Sequence, residues 1–320
     1  MTIKHLVLGA CAIACAWAAH AQTAVYPSHP IKIVVPYAPG GSTDIVVREF
    51  ATMAGAKLGQ PIVIENKGGA GATMGARDIA RAKPDGYTLA ILPSPVFRMP
   101  HIQNVGYDPL KDFSYINMLS GYVLGVAVKA TSPYKTWDDF IAGARANPQG
   151  ITYGTASIGS ASNVIMEGIG AQYGVKFTHV PYQGESSVLQ AVLGDFVGAY
   201  AGSSTVAPMV KSGQMRMLVT WGAKRSALYP GVPTLHELNP KIEPNSSPFG
   251  IAGPKGLPPE VMNKLGAAFK EVVESPEFRA TLERYGQEPV YMNSAEYTAF
   301  ARKAFAEEAE VVKKLGLQGN

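Results

Sequence analysis

Two segments rich in glycine and hydroxyl groups hold the residues best suited to bind a small anion. The first, Pro36–Asp44, reads Pro-Tyr-Ala-Pro-Gly-Gly-Ser-Thr-Asp and follows a short β-branched run, Ile31–Val35. This order predicts a strand, a tight loop and a helix that begins at Asp44. The loop N–H groups, two hydroxyls and the positive end of the helix dipole then converge on one point, which is where proteins hold anions.

The second segment, Ile151–Asn163, repeats this arrangement in the other half of the chain. Its polar donors are Thr155, Ser157, Ser160, Ser162 and Asn163. Each segment alone is more typical of an ordinary helix start, with Gly40 and Gly41 supplying the turn and Asp44 a cap. Together they predict two loops, one in each half of the chain, that close on one anion. Uncharged donors suit a site that must both bind and release a carboxylate.

Polar residues at other predicted strand ends extend the candidate site. Tyr182 and Gln183 follow one predicted strand, and Ser203 and Ser204 follow another. Ligands of α/β proteins bind at the carboxyl ends of strands, so we place these residues at the cleft. Arg98 is the one charged residue that we place there. For Tyr182, the alternative is a tyrosine that packs in a turn. For Arg98, the alternative is an exposed loop arginine.

A catalytic site is the main alternative to a binding site. A serine in the 154–163 loop could be the nucleophile of a secreted hydrolase, but no G-x-S-x-G elbow is present. The histidines form no H-x-x-x-H or H-E-x-x-H pattern, so no metal is expected. The glycine run Gly69–Gly75 departs from the spacing of a dinucleotide-binding loop, so no cofactor is expected either.

The first 21 residues read as a signal peptide. A basic start at Lys4 precedes an apolar run, Leu6–Ala19, and an A-x-A site ends at Ala21. Both cysteines lie in this segment, so the mature chain has no thiol for catalysis or metal binding. A lipoprotein cleavage site at Cys11 is the alternative. We predict cleavage after Ala21 and a soluble periplasmic protein.

Composition and element order predict an α/β protein of two lobes. The 320 residues suit two cores better than one, and a net charge of +4 without basic clusters argues against nucleic-acid binding. Alternating strand and helix patterns predict mostly parallel sheets. We assign 22–121 plus 243–320 to lobe 1 and 122–242 to lobe 2, joined by a crossing strand at Tyr122–Val128. Other predicted elements include Asp44–Leu58, Met74–Lys83 and Ala161–Tyr173 as helices.

Several segments in order along the chain resemble the Bug family, the periplasmic solute-binding components of tripartite tricarboxylate transporters. The matching segments are Pro30–Asp44, Val63–Gly71, Lys83–Leu89, Tyr107–Phe113, His179–Gly184 and Val232–Glu237. The resemblance implies two α/β lobes with a ligand cleft between them, the type II periplasmic binding protein fold. It also implies a bound carboxylate gripped by both loops.

Carried over from the family, the ligand-binding residues fall in the two loops. Lobe 1 contributes Tyr37, Gly40, Gly41, Ser42 and Thr43, and lobe 2 contributes Thr155, Ser157, Gly159, Ser160 and Asn163. The partners implied are a small organic carboxylate and either a membrane permease or a sensor domain. The protein is expected to be a monomer and not an enzyme.

This sequence departs from the family pattern at three places. A histidine is common where Asn163 stands, an aspartate where Ala191 stands, and a tryptophan near Ser247–Phe249. Without that aspartate, an ammonium group would lack a buried partner. Arg98 would instead pair with a second carboxylate. We therefore predict a dicarboxylate or aromatic acid rather than an amino acid.

Overall fold

The computed structural model describes residues 26–182, 184–244, 247–314 and 316. The predicted signal peptide and Gln183 lie outside these residues. The strands are β1 (Ile31–Val35), β2 (Ile62–Asn66), β3 (Thr88–Leu92), β4 (Phe113–Tyr122), β5 (Gly125–Lys129), β6 (Ile151–Thr155), β7 (Phe177–Pro181), β8 (Ala199–Gly202), β9 (Met215–Thr220), β10 (Pro248–Pro254) and β11 (Gln287–Met292).

The helices cover the faces of the sheets that these strands form. They are α1 (Ser42–Leu58), α2 (Met74–Ile79), α3 (Pro95–Arg98), α4 (Trp137–Ala146), α5 (Ala161–Tyr173), α6 (Glu185–Leu193), α7 (Ala207–Lys211), α8 (Leu235–Leu238), α9 (Pro259–Val273), α10 (Pro276–Arg284) and α11 (Ser294–Lys314). Short 3₁₀ turns lie at Ala70–Ala72, Met99–His101 and Ser204–Val206.

The strands form two sheets, one for each lobe. The six-stranded sheet has the order β11-β4-β10-β3-β1-β2, and the five-stranded sheet has the order β7-β6-β8-β5-β9. The first sheet therefore collects strands from both ends of the chain and the second takes the middle. The lobe boundaries at 121/122 and 242/243 stay a prediction.

Each sheet has a hydrophobic core on both faces, because successive side chains of a strand point to opposite sides. In β1, Ile33 packs with α1, α9 and α10, whereas Val34 packs with α2, α3 and α11. In β5, Val126 and Ala127 divide in the same way between the two cores of lobe 2. Within the described part of the chain, no helix is both long enough and apolar enough to cross a membrane.

The prediction of mostly parallel sheets was wrong. β1 pairs in parallel with β2 and β3, and β6 pairs in parallel with β7 and β8. The strands β4, β5, β10 and β11, which lie near the passages between lobes, make antiparallel pairs instead. These pairings join strands far apart in sequence, so local periodicity gave no sign of their direction.

Several element boundaries also differ from the prediction. The expected crossing strand Tyr122–Val128 is the end of β4 followed by β5, and the expected helix Met74–Lys83 ends at Ile79. The strand β1 and the helix α5 have the predicted boundaries. α1 begins at Ser42 instead of Asp44.

Candidate functional site

The first loop, residues 36–41, joins the carboxyl end of β1 to the N-terminus of α1. Gly40 has a φ of 82°, a conformation that residues with a Cβ rarely adopt, and its N–H donates to Asp44 Oδ2 at 2.8 Å. Gly41 is the residue before the helix, and no side chain caps the helix start. Among the described residues, the N–H groups of Gly41, Ser42 and Thr43 have no partner. They are free to bind an anion at this end of the helix.

Asp44 fixes the shape of the first loop from inside the protein. Its side chain is buried and also accepts hydrogen bonds from Arg48 at 3.0 Å and from Asn66 at 2.7 Å. Burial alone would raise the pKa of Asp44, but the bonds from Arg48, Gly40 and Asn66 outweigh it and lower that pKa. The carboxylate is therefore charged and internally neutralised by Arg48. It ties the loop to β2 rather than capping the helix.

The second loop, residues 156–160, repeats this geometry in lobe 2. Gly159 has a φ of 66°, and its N–H donates to Asn163 Oδ1 at 3.0 Å. Asn163 is buried and donates in turn to the Tyr153 hydroxyl at 2.9 Å. In both lobes, a left-handed glycine is therefore held by the side chain four residues later. Asn163 shapes the loop, and its side-chain amide bonds within lobe 2.

The hydroxyls of the second loop have different roles. The Ser160 hydroxyl caps α5 by accepting the Asn163 N–H at 3.3 Å. Ser157 is exposed, and its hydroxyl has no partner among the described residues. In the first loop, the Ser42 hydroxyl is likewise unpaired within the described chain. Ser42 and Ser157 thus keep free donors, whereas Ser160 also stabilises its helix.

Thr155 has its hydroxyl engaged inside lobe 2. The hydroxyl donates to the carbonyl of Ser157 at 2.9 Å and lies 2.7 Å from His179 Nε2. The side chain is fully buried, and burial lowers the pKa of His179, so the ring is favoured in its neutral form. The structure gives Thr155 the role of positioning the second loop.

Three hydroxyl groups, those of Tyr37, Thr43 and Tyr122, form a cluster beside the first loop. The Tyr122 hydroxyl, at the end of β4, bonds Thr43 Oγ1 and lies beside Tyr37. Burial raises the pKa of Tyr122 to about 12 and raises the pKa of Tyr37 well above its usual value. Both phenols therefore stay protonated and can donate hydrogen bonds.

Arg98 reaches the boundary between the lobes. It is 4% exposed, which rules out the alternative of an exposed loop arginine. Nε and Nη2 bond Glu308 on α11 at 2.6 and 2.8 Å, and Nη1 donates to the carbonyl of Gly159. The expected partner was a ligand carboxylate, yet the structure supplies a carboxylate from the protein itself. Binding of ligand by Arg98 stays a prediction.

The remaining predicted residues lie at strand ends of lobe 2. Tyr182 is partly buried, and its N–H donates to the Thr155 carbonyl beside the second loop. Ser203 is buried, and its hydroxyl donates to Glu185 Oε2 at 2.6 Å. Ser204 donates to the Tyr285 carbonyl at 2.8 Å, which makes it a contact between the lobes.

Glu185 is the residue that sequence reasoning missed. It begins α6, three residues after Tyr182, which the sequence pattern places at the cleft, and this position was the available signal. Sequence reasoning looked for an acid at position 191 instead. Ala191 is 6% exposed and packs into the core of lobe 2. The preference for a ligand without an ammonium group stays a prediction.

No three His, Cys, Asp or Glu side chains in the described part of the chain are grouped to hold a metal ion. His179, the histidine nearest the second loop, contacts Thr155 rather than a serine. What the site does provide is two sets of loop donors, from two helix starts, on either side of a boundary that Arg98 spans.

Comparisons with known proteins show the family and the fold of the chain. A family model described as the tripartite tricarboxylate transporter family receptor matches residues 46–317. A protein of Cupriavidus necator, described as the UPF0065 protein in the gbd 5′ region, is 44% identical over 299 residues, covering 93% of this chain and 91% of that protein.

Three solved structures share the fold over most of both chains. The periplasmic binding protein BugD is 28% identical with a TM-score of 0.78, and the alignment covers 92% of this chain and 100% of BugD. An R. palustris protein with adipate is 25% identical with a TM-score of 0.81, at 92% and 100% coverage. MatC from Rhodopseudomonas palustris, with bound malate, is 26% identical with a TM-score of 0.74, at 90% and 100% coverage. These similarities confirm the predicted two-lobed α/β fold of periplasmic binding proteins.

Proposed function

Since the chain belongs to the tripartite tricarboxylate transporter receptor family, we propose that it is a periplasmic protein that captures a small organic carboxylate. The family membership confirms the resemblance inferred from the sequence motifs. Solute binding is the function of proteins in this family. The choice of a carboxylate, the cellular location and the delivery of the ligand to a transporter are our proposals for this chain.

The observation that carries the proposal is the matched pair of loops. In each lobe a left-handed glycine, Gly40 or Gly159, gives its N–H to the side chain four residues later. The N–H groups of the three residues that follow Gly40 have no partner in the described chain. A carboxylate placed between the loops would accept hydrogen bonds from both helix starts and from the free hydroxyls of Ser42 and Ser157.

The pairing of the charged residues near the loops favours release of the ligand. Both cations near the loops, Arg48 and Arg98, are already paired with protein carboxylates. The ligand is therefore held by neutral donors rather than by a direct ion pair. Bonds of this kind to a charged group contribute about 1.5–3 kcal/mol each, so several together give useful affinity without preventing release.

Closure of the two lobes on the ligand is the proposed working motion. A ligand drives closure only by binding the closed form better than the open form. Residues from both lobes contact one another at the site: Arg98 reaches Gly159, and Ser204 reaches Tyr285. The closed form would then dock on the membrane permease of a tripartite tricarboxylate-type transporter. A periplasmic sensor domain is the alternative partner.

We also propose that the protein carries out no chemical step. Two neighbouring structures carry ligands, adipate in one and malate in MatC. By analogy with them, this chain would bind its carboxylate and release it unchanged. The hydrolase alternative would require a serine of the second loop to have a general base. Among the described residues, no histidine bonds a serine of that loop.

Calorimetry and thermal unfolding of the chain from Gln22 to Asn320 test the proposal. We expect one or more acids from a panel of aliphatic and aromatic carboxylates to bind, and their methyl esters to bind poorly. Ligand at a hundredfold excess over its dissociation constant should stabilise the protein by about 2.7 kcal/mol. The proposal fails if no acid raises the melting temperature, and the hydrolase alternative gains if the esters are cleaved.

A further inference from the structure

Glu185 lies where the two lobes meet at the candidate site. It is the first residue of α6, and the preceding N–H, that of Gly184, donates to the carbonyl of Ala156 in the second loop at 3.0 Å. Its carboxylate bonds Ser203, and the next residue, Ser204, donates to the carbonyl of Tyr285 in lobe 1. Glu185 therefore lies beside the second loop and next to a contact between the lobes, and its negative charge raises the pKa of Tyr37 and of Tyr122.

The carboxylate of Glu185 is held in place without being neutralised. Oε1 accepts the Ser203 N–H at 2.9 Å and Oε2 accepts the Ser203 hydroxyl at 2.6 Å. No Lys, Arg or His among the described residues forms an ion pair with it. The Tyr200 hydroxyl also lies against this carboxylate. Since the two oxygens have four lone-pair sites in all, the carboxylate can still accept one more hydrogen bond.

Two other charged residues near the site, Asp44 and Arg98, are compensated within the protein. Asp44 is paired with Arg48, and Arg98 is paired with Glu308. Glu185 is half-buried and has no counter-charge among the described residues. A ligand that presented only carboxylates to this region would meet electrostatic repulsion, whereas one with a hydrogen-bond donor would find an acceptor of full negative charge.

We propose that Glu185 selects carboxylates that carry a hydrogen-bond donor, a hydroxyl or an ammonium group, close to the anchored carboxylate. This inference rests on the proposed carboxylate-binding function and narrows its ligand class. The two loops hold the carboxylate, and Glu185 accepts the donor from the side of lobe 2. It reverses the sequence-based preference for acids without an ammonium group, which rested on Ala191.

Two matched sets of acids test the inference by calorimetry on the chain from Gln22 to Asn320. The aliphatic set is succinate, malate and aspartate, and the aromatic set is phenylacetate, mandelate and phenylglycine. Within each set the acids share a skeleton and differ in carrying no donor, a hydroxyl or an ammonium group. We expect the best donor-bearing acid of at least one set to bind about tenfold or more tighter than its donor-free parent. Comparison of the hydroxyl acid with the amino acid of each set shows which of the two donors is preferred.

The Glu185→Gln variant separates selection from a structural role. Glutamine keeps an oxygen for the Ser203 N–H, and its amide can donate to the Ser203 hydroxyl, so the local bonds survive. In the variant, the ratio of the affinities for the donor-bearing and the donor-free acid should fall about tenfold. The donor-bearing acid should bind more weakly, and the parent acid should bind equally well or more tightly. A structural role would weaken both acids equally. Glu243→Gln, at an exposed glutamate outside the candidate site, is the matched control and should bind like the unaltered protein.

The possible failures are distinguishable. If no acid of either set binds, and no acid of a wider panel of carboxylates binds, both the proposed function and this inference are wrong. If acids bind but donors bring no preference, or if Glu185→Gln leaves the preference unchanged, only the inference is overturned.

Discussion

Arg98 on α3 and Glu308 on α11 form a two-point ion pair, with Nε–Oε2 at 2.6 Å and Nη2–Oε1 at 2.8 Å, although 210 residues separate them. The third guanidinium nitrogen, Nη1, donates to the carbonyl of Gly159 in the second loop. A single arginine therefore links the C-terminal helix of lobe 1 to the loop of lobe 2 that is proposed to grip the ligand.

Removing Glu308 should destabilise the protein strongly. The side chains of Arg98 and Glu308 are 5% and 14% exposed, so Glu308→Ala leaves a buried guanidinium without its counter-charge. Breaking such a pair costs about 3–5 kcal/mol of the free energy of unfolding, measured by urea denaturation. Glu307→Ala is the neighbouring control. Its side chain is 62% exposed, and we expect a change of about 0.5 kcal/mol or less.

Ligand binding by an Arg98→Ala variant distinguishes the two roles considered for Arg98. A direct contact with a second ligand carboxylate would weaken diacids more than matched monoacids. A purely bridging role would weaken both to the same extent, because the second loop loses its link to lobe 1. The Glu308 pairing leads us to expect equal weakening, and calorimetry with succinate and butyrate decides between these results.

Alanine substitutions of Ser42 and Ser160 should have different effects. Ser42 has a free hydroxyl, so Ser42→Ala should weaken ligand binding by about 1.5–3 kcal/mol with little change in stability. Ser160 caps α5, so Ser160→Ala should also lower the free energy of unfolding by about 0.5–2 kcal/mol. Urea denaturation and calorimetry on both variants check this. Equal stability of the two would contradict the assigned cap.

Gly40 and Gly41 should also differ. Gly40 has a φ of 82°, so Gly40→Ala should cost about 1–2 kcal/mol of stability through backbone strain, despite open space for its Cβ. Gly41 has a φ of −74°, and a Cβ added there would meet its nearest atom, the Ala38 carbonyl oxygen, at 3.6 Å. Gly41→Ala is therefore not strained. Of the two glycines that supply the turn, Gly40 is therefore the one whose backbone conformation requires glycine. Gly41→Ala should mainly weaken binding, and thermal unfolding with and without ligand separates the two effects.

The pH dependence of stability should report on Asp44. Its folded-state pKa lies below the ordinary value of 3.8, because hydrogen bonds from Arg48, Gly40 and Asn66 outweigh burial. Because the pKa of Asp44 is lowered on folding, its charged form stabilises the fold at pH values above the ordinary pKa. This contribution is lost as the pH falls through the folded-state pKa. The difference in unfolding free energy between the unaltered protein and Asp44→Asn should be largest near neutral pH and shrink below about pH 4. A difference that grows on acidification would contradict the assignment.

Export and processing give the last prediction. The A-x-A site ending at Ala21 implies that the mature chain begins at Gln22. The intact mass of the protein recovered from the periplasm measures this directly. A lipidated N-terminus at Cys11 would show instead that the lipoprotein alternative is correct.

Local sequence determined the elements of the site but not their partners. The strand Ile31–Val35 and the helix Ala161–Tyr173 were predicted with their boundaries, because β-branched runs, helical periodicity and glycine stops act over a few residues. The two glycine loops were recognised for the same reason. Each is closed by a bond that spans four residues, from Gly40 to Asp44 and from Gly159 to Asn163.

Only the tertiary structure decided which charges meet at the site. Arg98 pairs with a residue 210 positions away and also reaches Gly159 of lobe 2, and Glu185 bonds the hydroxyl of Ser203 at the end of another strand. Antiparallel pairing of β10 with β3 and β4 was equally invisible in the local pattern. Contacts of this kind depend on how strands from distant parts of the chain are ordered in a sheet, and local periodicity does not encode that order.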